Sequence, residues 1–156
     1  KEEKTNVMRT LEQKKIPYTA HSYDPEGPID GVSVAQTLGQ PPERVFKTLV
    51  TKGASGAYYV FDIPVAENLD LKKAARAVGE KSIAMLPQKE LLGLTGYVHG
   101  GCSPVGMKKQ FPTVFHETAA EYDTICVSAG KIGYQVECDP KALLTLLRAG
   151  TADIIV

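Results

Sequence analysis

Apolar residues recur along this chain in short runs, broken by glycine, proline and charged turns, with no single long hydrophobic stretch. Residues 5–15 place Val7, Met8 and Leu11 on one helical face, and Pro17 ends that segment. Residues 18–23 alternate, with Tyr18, Ala20 and Ser22 opposite Thr19, His21 and Tyr23, which predicts a half-buried strand. The run D-P-E-G-P at 24–28 is a loop, and residues 32–38 predict a short helix ended by Gly39. Pro41-Pro42-Glu43-Arg44 reads as one further helical turn, with proline where a missing N–H does no harm. The segments 45–51 (V-F-K-T-L-V-T) and 57–63 (A-Y-Y-V-F-D-I) predict two apolar strands around a hairpin-like turn at 54–56. Asp70 caps a helix over 71–78, and Gly79 ends it. A short strand at 82–85 and a short helix at 87–92 follow, and Tyr97-Val98 reads as a strand end entering a glycine-rich loop. Strands are expected at 113–116, 124–128 and 134–138. Asp139-Pro140 opens a closing helix to residue 148, and 152–156 is a last apolar strand.

These elements predict an α+β fold of roughly seven short strands and four or five helices, forming one domain over 1–156. Strands and helices do not alternate strictly, so a doubly wound parallel sheet is not expected. A mixed, largely antiparallel sheet, curled or closed into a barrel with helices packed outside, fits the order better.

The 156 residues include 43% hydrophobic and 23% charged residues, enough for a core of ordinary size. Eighteen basic and eighteen acidic residues give zero formal net charge, so any polyanion must meet a local patch. The charged opening K-E-E-K-T-N gives no signal-peptide pattern, and no apolar run reaches a membrane span of about 20 residues. Cys102, Cys126 and Cys138 are odd in number and lack C-x-x-C spacing, which points to reduced thiols and a cytoplasmic protein. His21, His99 and His116 are far apart in sequence, so no metal site and no cofactor are expected.

Candidate chemistry gathers at G-Y-V-H-G-G-C-S-P-V-G, residues 96–106. Gly100 and Gly101 open backbone conformations closed to other residues, and Pro104 holds Ser103 extended. Such a loop either connects two strands tightly or aims N–H groups at an anion or a carbonyl oxygen. Lys47, within an apolar strand, either snorkels to water at an edge or puts an ammonium into a pocket. Cys102 could be a nucleophile, although a small half-buried thiol is the commoner role. His99 could be a general base, although a lone loop histidine is more often a hydrogen-bonded structural residue. His21 and His116 read as packing residues. Lys108 and Lys109 are either a solvated pair or phosphate contacts, and Ser128-Ala129-Gly130-Lys131 forms a second glycine turn. No triad order, phosphate-binding loop motif or paired carboxylates appear, so these residues define a pocket without naming a reaction.

Several segments taken together are more specific. V-F-K-T-L-V, then G-G-C-S-P-V-G followed by Lys108-Lys109, then V-S-A-G-K-I-G, resemble the YbaK/EbsC group of bacterial aminoacyl-tRNA deacylases. That group is related to the editing domain of prolyl-tRNA synthetase. H-S-Y, L-D-L-K-K-A-A-R-A-V-G and the closing A-D-I match as well, so the resemblance spans nearly the whole chain in order. It implies trans-editing of Cys-tRNA(Pro), because one pocket separates cysteine from proline by only about 1–3 kcal/mol. It also implies that the substrate's own thiol attacks the ester and leaves as a thiolactone, so the protein holds and polarises. Lys47 matches the family's strand lysine and is expected on the substrate carbonyl or the terminal ribose and phosphate. The loop over 100–104 matches the family's G-x-x-x-P, so Gly100, Gly101, Cys102, Ser103 and Pro104 would fix the ester, with Gly101 beside Lys47 in the catalytic role. Tyr23, Ile29, Thr48, Ser128 and Gln135 are expected substrate contacts, and Lys108, Lys109 and Lys131 are expected on the tRNA backbone. Gln135 replaces a family aspartate, an amide where the family has a charge. The implied partners are the aminoacyl-tRNA 3′ end and prolyl-tRNA synthetase. Deacylation of alanyl- or seryl-tRNA, or a non-catalytic module that binds aminoacyl-tRNA or synthetase, are the alternatives.

Overall fold

A computed structural model describes residues 3–156. The chain runs α1 (Asn6–Gln13), β1 (Tyr18–Ser22), α2 (Gly31–Thr37), a 3-10 turn (Pro42–Arg44), β2 (Phe46–Gly53), β3 (Tyr58–Pro64) and α3 (Leu71–Val78). It continues through β4 (Ile83–Met85), α4 (Gln88–Thr95), β5 (Thr113–His116), a second 3-10 turn (Glu117–Glu121), β6 (Ile125–Ser128), β7 (Tyr134–Cys138), α5 (Pro140–Leu147) and β8 (Gly150–Ala152). Local chemistry accounts for most boundaries. The side chains of Thr5, Asp30, Asp70 and Asp139 each accept from a backbone N–H in the first turn of α1, α2, α3 and α5. Gly79 and Gly96 end α3 and α4 in the left-handed conformation.

The strands form two sheets. A three-stranded antiparallel sheet has the order β1-β7-β6, and a five-stranded mixed sheet has the order β4-β2-β3-β5-β8. In the second sheet β2 is antiparallel to β3 and β4, whereas β5 is parallel to β3 and β8. This corrects the expectation of one curled sheet or barrel of about seven strands. There are eight strands among the described residues, and between the sheets the only bridge is the isolated Val45–Cys126 contact. That bridge is too short to merge the ladders, so two open sheets meet instead of closing.

Alternation along the strands decides what each face covers. On the small sheet Tyr18, Ala20, Ile125, Val127, Val136 and Cys138 face a core shared with Val7, Met8 and Leu11 of α1 and Leu143 of α5. Burying one such aliphatic side chain contributes about 1.5–3 kcal/mol. The opposite face carries Thr19, His21, Cys126, Ser128, Gln135 and Glu137, as the cross-strand register requires. In the large sheet Phe61 and Ile63 pack with Ala74, Ala75 and Ile154, whereas Val50 and Val60 pack with Met107 and Phe111.

Two local expectations fail for physical reasons. Residues 152–156 are not one strand: Ile154 is fully buried and donates its N–H to His116 Nδ1, outside the strand ladder. Only Gly150–Ala152 pairs with β5, while Ile155 makes a lone bridge to Leu69. Tyr97-Val98 ends no strand. It leaves α4 after Gly96, and the Tyr97 hydroxyl donates to the Val105 carbonyl at 2.5 Å across the loop.

Candidate active site

The cavity forms where β2 lacks a neighbour. Strand β4 pairs only with Thr51–Gly53 of β2. Val50 accepts from Leu86 N–H and Ala54 donates to Ser82, whereas Gly53 donates to Ala57 and Val45 accepts from Val65. The even-numbered residues of β2 therefore direct their backbone groups to the β4 edge, as an antiparallel ladder demands. At Thr48 that edge has no strand partner among the described residues. Neighbouring side chains leave a strand on opposite faces, yet Lys47 and Thr48 both reach the cavity, because it wraps this open edge.

The cavity encloses about 330 Å³, near the lower end of ligand-sized pockets at roughly 300–1,000 Å³. Val45, Phe46, Lys47, Thr48 and Leu49 of the β2 segment form one wall, and Ile29, Gly31, Val32 and Val34 at the start of α2 form another. Ser128, Tyr134 and Gln135 come from the small sheet, and Leu91, His99, Gly100 and Cys102 come from α4 and the loop behind it. Tyr23 lies at the end of β1.

Lys47 is half-buried, and its ammonium makes no ion pair or hydrogen bond among the described residues. Burial lowers its pKa, and the nearby Glu67 carboxylate opposes that shift. A single unsatisfied cation thus faces a largely apolar cavity. Gln135 is buried and locked by Gln40: the Gln40 amide donates to its oxygen at 2.7 Å, and the Gln135 amide donates back at 3.1 Å. The Ser128 hydroxyl accepts from Gly130 N–H at 3.1 Å, which shapes the second glycine turn. Thr48 donates its hydroxyl to Asp62 Oδ1 at 2.5 Å.

The sequence candidates therefore separate. Lys47, Thr48, Tyr23, Ile29, Gly100, Cys102, Ser128 and Gln135 line one cavity. Gly101, Ser103 and Pro104 are buried behind it and do not line it. Gly101 N–H donates to the Val98 carbonyl at 3.0 Å, and a Cβ at Gly101 would lie 3.1 Å from the Ile132 nitrogen. Gly101 is thus the contact between the two glycine turns, and its N–H is already satisfied; this corrects its expected catalytic placement. Among the described residues no backbone carbonyl accepts from the N–H of Gly100 or Cys102. Gly100 holds φ +90, and a Cβ there would meet Ile29 Cδ1 at 2.9 Å. Ser103 Oγ accepts from Val105 N–H and serves the turn. Lys108 and Lys109 are exposed outside the cavity, and Lys131 pairs with Glu3 at 2.5 Å.

Tyr97, Asp62 and Gln40 were not singled out by sequence. Tyr97 lies between the two glycine turns, since a Cβ at Gly106 would meet its hydroxyl at 2.8 Å and one at Gly130 would meet its ring at 2.9 Å. Glycine at both positions is the signal that could have found it. His99 differs from its expected structural role: it is exposed at the cavity rim and its ring makes no hydrogen bond among the described residues. Cys102 is a poor nucleophile, because burial first and then the Asp62 charge push its thiol up to about 12.

His21 is more than a packing residue. Its Nε2 lies 2.8 Å from Glu137 Oε1, and possible ligand atoms of His21, Cys126 and Glu137 all fall within 4.8 Å of one another. The sheet thus gathers ligand types that sequence spacing keeps apart. The Glu137 carboxylate is already engaged: the Thr124 hydroxyl donates to Oε2 at 2.5 Å, and Arg44 Nη2 lies 3.6 Å away. A guanidinium at that distance opposes a second cation, so the group reads as a hydrogen-bonded ion-pair network.

Among the described residues no helix is long and apolar enough to cross a membrane. Residues 30–146 match the family described as the aminoacyl-tRNA editing domain. EbsC of Enterococcus faecalis, named as a candidate Cys-tRNA(Pro)/Cys-tRNA(Cys) deacylase, is 48% identical over 154 residues, covering 98% of this chain and 94% of that protein. A crystal structure described as a candidate trans-editing enzyme for prolyl-tRNA synthetase has a TM-score of 0.81 at 27% identity, covering 96% of this chain and 94% of that one. The crystal structure of a hypothetical protein has a TM-score of 0.88 at 20% identity, covering 96% and 99%, and shares the fold. The matched family spans most of the chain and takes in both glycine turns and the cavity lining other than Tyr23 and Ile29: the chain belongs to the aminoacyl-tRNA editing domain family.

Proposed function

We propose that this chain is a trans-editing deacylase that releases cysteine from mischarged Cys-tRNA(Pro). The observation that carries this reading is the unpaired Lys47 ammonium in a cavity that also contains Gly100 and Cys102 but holds no activated nucleophile. The ester carbonyl lies against Lys47, whose charge stabilises the oxyanion that develops when the carbonyl is attacked. The N–H groups of Gly100 and Cys102, in place of Gly101, are the backbone donors for that oxygen or for the terminal ribose. Cys102 stays protonated at neutral pH and Ser128 serves a turn, which supports the nucleophile that the family resemblance implies, the substrate's cysteine thiol. It closes on its own carbonyl, forming a thiolactone and releasing the tRNA hydroxyl. Tyr23, Ile29 and Gln135 bound the aminoacyl group, and exposed Lys108 and Lys109 meet tRNA phosphates, with Lys131 available once it leaves Glu3. We further infer that residues 1–156 act as one editing domain in the cytoplasm and that prolyl-tRNA synthetase is its partner.

A deacylation panel of cysteinyl-, alanyl- and seryl-tRNA(Pro) tests the reading. Cysteine should be released at least tenfold faster than alanine or serine, because only cysteine carries a thiol. Equal rates for alanine or serine would replace thiol assistance with attack by water.

A further inference from the structure

Asp62 is the buried ionisable group that the reading above leaves unused. It lies on β3 directly across from Thr48 of β2, so both side chains leave the same face of the sheet. That face is otherwise apolar around them, with Val50, Val60, Met107 and Phe111 in one cluster. Asp62 is fully buried, and its second oxygen, Oδ2, has no hydrogen-bond partner among the described residues. A carboxyl placed there with half its bonding unmet weakens the fold, which calls for another explanation. Its one side-chain hydrogen bond among the described residues is informative. The Thr48 hydroxyl spends its proton on Asp62 Oδ1, so the lone pairs of Oγ1 remain for a donor in the cavity that Thr48 lines.

We propose that Asp62 is a positioning residue that accepts, through the Thr48 hydroxyl, the proton of the substrate's cysteine thiol. The proposal rests on the thiol-assisted reading above. The thiol proton passes to Thr48 Oγ1 while the Thr48 proton passes to Asp62 Oδ1. The sulfur electron pair forms the C–S bond to the ester carbonyl carbon, and the carbonyl π pair moves to oxygen against Lys47. Collapse of that oxyanion breaks the bond between the carbonyl carbon and the ribose oxygen, which takes the proton back along the same route. No other reactant is consumed. Burial supports the assignment, since it pushes the Asp62 carboxyl up to about 8, close to a free thiol at about 8.5, and transfer between matched groups is efficient. Gln135 cannot take this role, because its amide is neutral and locked to Gln40.

The test is single-turnover release of cysteine from Cys-tRNA(Pro) by wild type, Asp62→Asn, Asp62→Val, Thr48→Val, Thr48→Ser and the Thr48→Val/Asp62→Asn double variant, with thermal unfolding of each. Asp62→Asn and Thr48→Val should each slow release by roughly 10²-fold with little change in KM. The double variant should be no slower than either single one, because both remove the same relay. Thr48→Ser should restore most of the rate. Asp62→Val should unfold at an equal or higher temperature while still losing activity, the opposite of what a structural role predicts. Asp62→Asn within twofold of wild type, or additive losses in the double variant, would overturn the relay and leave the deacylase reading standing. A wild-type protein unable to release cysteine would overturn both.

Discussion

Ser128, Gln135 and His21 lie across from one another on one face of the small sheet, and Cys126 and Glu137 lie on that same face one step along the ladder, where the His21 ring reaches diagonally to Glu137. Both ends carry polar side chains, and both meet the segment after α2, through Gln40 at one end and Arg44 at the other. They differ in what remains unsatisfied. At the Glu137 end the carboxylate has His21, Thr124 and Arg44 around it, so its charge is balanced. At the Gln135 end the amide pair is neutral, and the nearby cation, Lys47, has no ion-pair partner among the described residues. The same sheet face supplies a structural network and a wall of a reactive cavity, and the difference lies in partners more than in residue type. A satisfied charge holds two segments together, whereas an unsatisfied one beside a cavity can act on a ligand.

That contrast can be broken from either end. The largest expected effect is on Lys47→Ala, which should slow cysteine release by at least about 10²-fold while leaving the unfolding temperature nearly unchanged. Loss of stability comparable to the loss of rate would make Lys47 part of the scaffold. Glu137→Ala should behave in the reverse sense, lowering stability by roughly 2–4 kcal/mol through the lost charged hydrogen bonds while release from the remaining folded protein changes less than threefold. Its acid response has a defined sign. The Thr124 hydroxyl first, and His21 next, hold the Glu137 carboxyl below its ordinary value of 4.5. Its contribution is therefore present above about that pH and is lost as pH falls through the lowered value, so the acid limb of a stability–pH curve should flatten in Glu137→Ala. The smallest effect is expected for Cys102→Ala, which should keep kcat within about threefold and shift KM at most severalfold. A rate lost in Cys102→Ala and regained in Cys102→Ser would restore this thiol to the chemistry.

Much of this was legible along the chain. Helix caps and glycine ends placed the helices to within a few residues, because they depend on atoms three or four positions away. Lys47 was legible because an ammonium inside an apolar run must find either water or a pocket. Asp62 sits in an equally apolar run and was passed over, since nothing local says that Thr48 will lie across from it. The role of Gly101 is hidden in the sequence for a related reason. A double glycine announces close approach, but whether the visitor is a substrate or the backbone of Ile132 depends on residues thirty positions on.

By itself the sequence determined the local elements, the residue types available for chemistry and the family the chain belongs to, since these rest on short-range sterics and ordered motifs. Tertiary structure alone decided that two sheets stay open, that β2 keeps a bare edge at Thr48, and which charges find partners. Strand pairing and charge neutralisation join residues far apart in the chain, and their energies depend on a register that no single segment contains.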